Sequence, residues 1–366
     1  MPRLLRYLLF ALLWGALVAY FVAASLSARR VKGERRVKRL EVSVVDSSSL
    51  GQLVTSQQVR EWIARSGIKT LGEQVDSVDL RGLEALIARN GFVERAVAYT
   101  TYEGSLHLDI HQRKPLLRLL CDGRNRYVTA DGYLFDAPHT SSLYTPVVTG
   151  NYAPPAPASW VGDVRRYIDT QLEAMEEQIA QLERKKLPLF RGQRQAKVWY
   201  DSLRRMPVKR RWIPWERKER YEERLDSARK ARRQLRRPYR YKLRELQTRI
   251  TQLEQEQLLV GEAQKKLEKN YEDFMNLLNF VDWVERDDFW RSEVVQIVAQ
   301  TTPSGALEVN LIPRSGEFVV RFGRLEAVEE KFDRLLRFYR SGLSVLGWST
   351  YREIDLRFDE QVVCRK

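Results

Sequence analysis

From Tyr7 to Ala28 the chain reads YLLFALLWGALVAYFVAASLSA, twenty-two residues without a charge. As a helix this run rises about 33 Å, which matches a bilayer core of about 30 Å. The competing reading is a cleaved signal peptide, with Arg3 and Arg6 as its n-region and SLSA as its cleavage site. The run is longer than the roughly 7–15 residues of an h-region, which favours an uncleaved anchor over 7–28 behind a short cytoplasmic tail, 1–6. Arg29, Arg30, Lys32, Arg35 and Arg36 follow the run and are the expected contacts with lipid headgroups. The positive-inside rule applied to these charges would place the bulk of the chain in the cytoplasm, but large domains are translocated largely regardless of charge.

The remainder has enough apolar residues for a core, 43% of the chain. RLEVSVV (39–45) alternates as a strand. Thr55 and Gln58 have capping-box spacing, and Val59, Trp62 and Ile63 share one helical face. Asp79 caps a second helix with Leu83, Leu86 and Ile87 on one face. FVERAVAYTTY and SLHLDIHQR then alternate on either side of Glu103-Gly104, which suits a tight hairpin. Strand, helix, helix, strand, strand makes an α+β unit over 39–113. Asp122-Gly123 and Asp131-Gly132 punctuate a meander beyond it, and NYAPPAPAS reads as a linker.

Residues 163–283 change character. Ile168, Leu172, Met175, Ile179 and Leu182 step by four and three, as do Leu243, Leu246, Ile250 and Leu253. Such stepping buries a narrow seam, so an antiparallel helical hairpin is expected, with arms over about 164–187 and 240–281. Pro188, Pro207, Pro214 and Pro238 are expected to break its tip, which carries Trp199, Trp212 and Trp215. Residues 184–249 hold 25 Lys/Arg against 7 Asp/Glu, a net of +18, which leaves the rest of the chain at 38 against 41, or −3. The net charge of +15 therefore belongs to the hairpin. Further strands and an amphipathic helix (Leu325, Val328, Phe332, Leu335, Leu336, Tyr339) follow. The chain closes on YREIDLRFDEQVV, read as a half-buried strand with one edge open to another chain.

Catalytic and metal chemistry find little material. Three histidines and two cysteines exclude a disulfide framework or a structural zinc cluster, leaving a Cys121–Cys364 pairing open. His107, Asp109 and His111 face one side of one strand, where a solvated sheet face is the plainer reading than a metal site. No motif supplies a nucleophile with its base, and no cofactor is implied.

The order of these pieces resembles the bacterial cell-division family FtsQ/DivIB. DLRGLEALIARNGFVERAVAYTTYEGSLHLDIHQRKPLLRL resembles the second helix, hairpin and exit of its POTRA domain. YVTADGYLF and PVVTG resemble the strand-turn-strand and Pro/Gly signature beyond. FWRSEVVQI, EVNLIPRSGEFVVRFG and YREIDLRFDEQVV resemble its closing strands. The likeness covers about 1–150 and 267–366; no single motif is specific, whereas their order and spacing are. It implies a β domain over 114–150 and 267–366, interrupted by the hairpin at 151–266, an element outside the family pattern.

The resemblance further implies a non-catalytic, single-pass inner-membrane scaffold of the divisome, its bulk periplasmic at the division site. Such a scaffold links an FtsB/FtsL-like pair to septal peptidoglycan synthesis, with an FtsW-type synthase complex near the POTRA unit. The FtsB-type partner is expected to add a strand along Ile354, Asp355, Leu356, Arg357, Phe358 and Asp359, where Arg357 and Phe358 match the family's Arg-aromatic pair. The alternative is a POTRA-containing outer-membrane assembly or secretion component, which would need further POTRA repeats or a β-barrel. The basic tip has the charge of a nucleic-acid footprint, but the implied location offers no nucleic acid. Solvated helix faces, anionic headgroups or an acidic partner protein remain for it.

Overall fold

The computed structural model of the chain describes residues 12–25, 35–45, 51–121, 123–137, 143–208 and 214–366. Residues 12–25 are helical and exposed. Among the described residues no helix is long and apolar enough to cross a membrane. Residues 7–11 and 26–28 of the expected span lie outside them, as do Arg29, Arg30, Lys32, Trp212 and His139.

The first sheet has three strands, β1 (Arg39–Val44), β2 (Val93–Thr100) and β3 (Ser105–Gln112), in the order β1-β3-β2. β1 joins β3 in parallel and β2 joins it antiparallel. Two helices separate β1 from β2. α1 (Ser56–Ser66) begins in a full capping box, with Thr55 and Gln58 exchanging backbone and side-chain bonds. α2 (Leu80–Ala88) begins where the Asp79 carboxylate accepts from Gly82 N–H at 2.9 Å. Alternation on β3 sends Leu106, Leu108 and Ile110 fully inside, where Leu108 and Ile110 meet Val59, Ile63, Leu83 and Ile87. Gln112 shares that buried face because its amide closes a circuit: Oε1 accepts from Leu53 N–H and Nε2 donates to Gly51 C=O, both at 3.0 Å. The β2–β3 connection spans Thr101–Gly104 rather than the pair Glu103-Gly104, with Thr101 N–H on Ser105 C=O at 2.8 Å.

The second sheet has ten strands: β4 (Pro115–Cys121), β5 (Arg124–Thr129), β6 (Tyr133–Asp136), β7 (Val147–Gly150), β8 (Gly162–Asp163), β9 (Val294–Thr301), β10 (Leu307–Pro313), β11 (Val319–Gly323), β12 (Glu353–Asp355) and β13 (Val363–Arg365). Their order is β13-β12-β11-β10-β9-β7-β4-β5-β6-β8. Tyr127 on β5 and Phe135 on β6 enter the same core cluster as Ile87 and Ala96, so the two sheets share apolar contacts. Phe322 of β11 stacks with Phe280, Trp283, Trp290 and Phe332 in one aromatic cluster, with centroids 4.6–5.8 Å apart.

β7 is the hinge of the sheet, parallel to β4 on one side and to β9 on the other. Between β7 and β9 lie β8, α3 (Val164–Arg205), α4 (Lys218–Arg286) and the short α5 (Asp288–Glu293). The chain divides into two compact units. One comprises residues 1–153, 157–163 and 275–366; the other comprises 154–156 and 164–274. The second unit is the helical hairpin. α3 and α4 run antiparallel, with Gln193 Nε2 donating to Gln247 Oε1 at 2.6 Å and Gln257 Nε2 to Glu183 Oε1 at 3.3 Å. Ile168, Leu182, Leu246 and Ile250 are buried in the stepped pattern.

Both arms are longer than their prolines suggested. Pro188 sits inside α3 and Pro238 inside α4. Each proline removes one backbone donor, at a cost of roughly 3 kcal/mol, whereas ending the helix there would forfeit the interarm contacts on its far side. Past Pro188, Ala196 is still 3% exposed.

α6 (Val328–Phe338) opens at Ala327, which has φ +49°, and buries Lys331, Phe332 and Leu335. A π turn over Tyr339–Leu343 extends it. Cys121 and Cys364 are not joined to each other in a disulfide.

Gly150, the last residue of PVVTG, has φ +118°, and a Cβ there would lie 2.0 Å from the Ala299 carbonyl oxygen. Both backbone angle and space demand glycine at this crossing of β7 and β9. Gly150→Ala is expected to destabilise the sheet by more than about 4 kcal/mol, read as loss of soluble, cooperatively melting protein. A wild-type melting curve would show that the β7–β9 register is wrong.

Candidate partner-docking edge

The closing segment departs from simple alternation. β12 ends at Asp355, and both of its edges are taken. It pairs with β11 in parallel and with β13 antiparallel, through Glu353↔Arg365, Ile354↔Cys364 and Asp355↔Val363. Of the rim expected along 354–359, the part formed by Ile354 and Asp355 is thus covered by the chain's own last three-residue strand. The end strand of the sheet is β13, and none of the other nine strands pairs with its outer side. A Val-Cys-Arg run is too short for a period of two to register, which is why the pattern missed it.

Asp355 was expected on the solvated face. It is 1% exposed and held by Arg357. Arg357 Nε and Nη2 donate to its two oxygens at 3.0 and 2.7 Å, and Arg357 N–H donates to Oδ1 at 3.0 Å. Burial pushes the Asp355 carboxyl up, but the Arg357 hydrogen bonds and charge outweigh it and hold the carboxyl below its ordinary value. Gly323 makes room for this clasp: a Cβ there, at φ +77°, would sit 2.5 Å from Arg357 Cγ. Arg357 also faces Glu308 at 3.9 Å. Ile354 and Leu356 are fully buried. Of the six expected contacts, therefore, Ile354, Asp355 and Leu356 hold the sheet together, and only Arg357, Phe358 and Asp359 are presented to solvent. Phe358 is 45% exposed, while its carbonyl accepts from Arg334 Nη1 at 2.8 Å.

These exposed residues border a groove of about 970 Å³ that periodicity did not reveal. Arg357, Asp359 and Glu360 line one part of it; Glu330, Arg334 and Arg337 of α6 line another. Its floor includes Lys331, whose Nζ donates to the carbonyls of Phe322 at 3.2 Å and Arg324 at 2.6 Å. Burial pushes the Lys331 ammonium below its usual value. A groove lined by fixed charges of both signs suits a peptide with its own charge pattern better than an apolar small molecule.

On the three-stranded sheet, His107 stacks on Tyr99 at 5.2 Å and lies 3.5 Å from Glu41, while Ser43 Oγ donates to Asp109. Burial and the neighbouring Asp109 push the Tyr99 phenol up. No group of three His, Cys, Asp or Glu arranged to hold a metal ion occurs among the described residues. Of the expected headgroup residues, Arg35 lies over the Tyr102 ring at 3.8 Å and Arg36 donates to Gly72 C=O at 2.9 Å. Both are anchored to the small sheet unit.

Two family models match the chain. The POTRA-like domain matches residues 35–111, and FtsQ/DivIB, C-terminal related, matches residues 249–365. Together they suggest a cell-division type of protein, with a POTRA-like domain and a long helical insertion in a mixed α+β fold. The two matches support an FtsQ/DivIB-type protein. That family is generally non-catalytic and is associated with the membrane at the division site. No curated protein matches the chain. The second match begins inside α4, so part of the return arm belongs to what the family model describes.

Arg357→Glu is expected to lower stability by about 2–3 kcal/mol, because it sets two carboxylates together at a buried position. Phe358→Ala is expected to leave the melting temperature within a degree or two. The Asp355 carboxyl is held low in the folded state, so its contribution is present above the ordinary carboxylate range. It is lost as pH falls through the folded value, which lies below the ordinary aspartate value. Thermal melts at pH 7 and pH 3 of wild type and Asp355→Asn check the sign: the variant should lose less on acidification.

Proposed function

We propose that this protein is a non-catalytic, single-pass scaffold of the division machinery. On this reading the 7–28 segment anchors it in the inner membrane, with the sheets and hairpin on the periplasmic side. It captures an FtsB/FtsL-like pair and connects that pair to septal peptidoglycan synthesis, with an FtsW-type complex meeting the POTRA-like unit. The observation that carries the proposal is the end of the large sheet. β13 has an outer side free of further strands, next to exposed Phe358 and the charged groove. An added strand gains affinity from main-chain bonds and specificity from flanking side chains. The contact is therefore moved outward from β12 to β13, Arg357, Phe358 and Asp359.

A photocrosslinking residue placed at Phe358 or at Arg365 should form an adduct with the FtsB-type protein in cells, and one at Lys69 should not. Phe358→Ala should weaken capture roughly tenfold, within the range for a half-buried aromatic anchor. Absence of adducts from both rim positions, with adducts elsewhere on the chain, rejects the docking edge. A phosphatase fusion at Lys366 should be active; an inactive fusion on a stably expressed chain rejects the periplasmic topology.

A further inference from the structure

Beyond its first turns, where Glu219, Glu222, Glu223 and Asp226 balance the basic residues, α4 carries chemistry that the scaffold reading does not use. From Arg229 to Arg244 the sequence has seven arginines, two lysines and no carboxylate. In α4 the spacing of Arg229, Arg233, Arg237, Arg240 and Arg244 sets them along one side of the helix. All five are exposed. Arg233, Arg236, Arg237 and Arg240 line a groove of about 460 Å³ with Tyr200 and Gln234, and no acid is among its lining residues. Two further arginines occupy positions where the seam elsewhere has Leu and Ile. Arg232 Nη1 donates to Met206 C=O at 2.8 Å, and Arg236 stacks near Tyr200 at 5.7 Å. The positive charge is thus built into the packing of this stretch as well as its surface.

Close to the connection the exposed apolar side chains are large. Trp215 is 87% exposed, Met206 54% and Trp199 53%. A row of guanidiniums alone would suit any polyanion. Guanidiniums combined with a solvent-facing Trp and Met suit a surface that offers phosphates and, directly beneath them, hydrocarbon. A polynucleotide offers the phosphates without the hydrocarbon. An acidic protein offers carboxylates, for which the arginine fork is equally fitted, but no apolar layer beneath them.

We propose that the arginine-lined stretch of α4, with the facing end of α3, is a peripheral membrane-binding element for anionic phospholipid. Its exposed arginines take the headgroup phosphates, and Trp199 and Met206 enter the interface. The site is independent of the partner-docking edge in residues and in chemistry.

The full chain would be held in nanodiscs of neutral phosphatidylcholine and mixed with separate vesicles, and the nanodiscs pelleting with the vesicles counted. Vesicles with 30% phosphatidylglycerol should pull the nanodiscs down, and pure phosphatidylcholine vesicles should not. Arg233→Gln, Arg237→Gln and Arg240→Gln together should reduce this partition by roughly a hundredfold, taking about fivefold per headgroup-level cation and allowing for some screening. Glutamine keeps helix propensity, so unchanged helicity by circular dichroism should accompany the loss. Trp199→Ala should cost severalfold at high salt, where the apolar contribution dominates. Both variants should still capture the FtsB-type partner, which separates failure here from failure of the docking edge. Equal pelleting with neutral and anionic vesicles overturns the proposal. So does a mixed-sequence oligonucleotide that binds the chain more tightly than the anionic vesicles at the same salt.

Discussion

Parallel pairing of β7 with both β4 and β9 is the contact on which the large sheet depends. β4 and β7 come from one stretch of chain, β9 from another, and the hairpin lies between them in sequence. Closing so long an excursion would normally carry a loop-entropy cost that grows with its length. An antiparallel hairpin reduces that cost, because its own seam returns the chain to where it left: Arg165 near the start of α3 lies 5.4 Å from the Tyr271 ring near the end of the second unit. The sheet can then be completed through β9, β10, β11 and β12 as though β7 and β9 were neighbours in sequence. The crowding at Gly150 marks how tightly the two parts meet.

Local patterns were legible where one face of an element is wet. The Thr55/Gln58 box, the Asp79 cap, the alternation of β3 and the stepped seam of the hairpin all follow from short-range spacing, and each forms as read. The failures share a physical cause, in that tertiary contacts decided the outcome. Pro188 and Pro238 are carried inside helices because interarm packing continues beyond them. Asp355 looks like a surface charge until Arg357, two residues on, folds back to neutralise it inside the sheet. β13 is three residues long, and its role as the end strand follows only from its pairing with β12. The edge strand of the large sheet therefore lies one strand further out than the alternation of 354–359 suggested. The groove under α6 could not be read at all, since it joins side chains from three separate stretches.

The division of charge follows the division into units. Residues 184–249 of the hairpin are strongly basic, while the remainder of the chain is close to neutral with both signs interspersed. Near-neutral, mixed surfaces favour pairwise matching with a protein partner, and concentrated single-sign charge favours extended, salt-sensitive attraction. One chain thus carries two surfaces of different electrostatic character.

The hairpin's construction has a consequence for how such a chain can diverge. Because its two ends meet and its seam is built from repeating steps, adding seven residues to each arm would move the joined end outward by about 10.5 Å without altering any strand register. Reach is therefore an evolvable dimension of this protein, adjustable in increments like the extension of a boom, while the β framework that carries it stays unchanged.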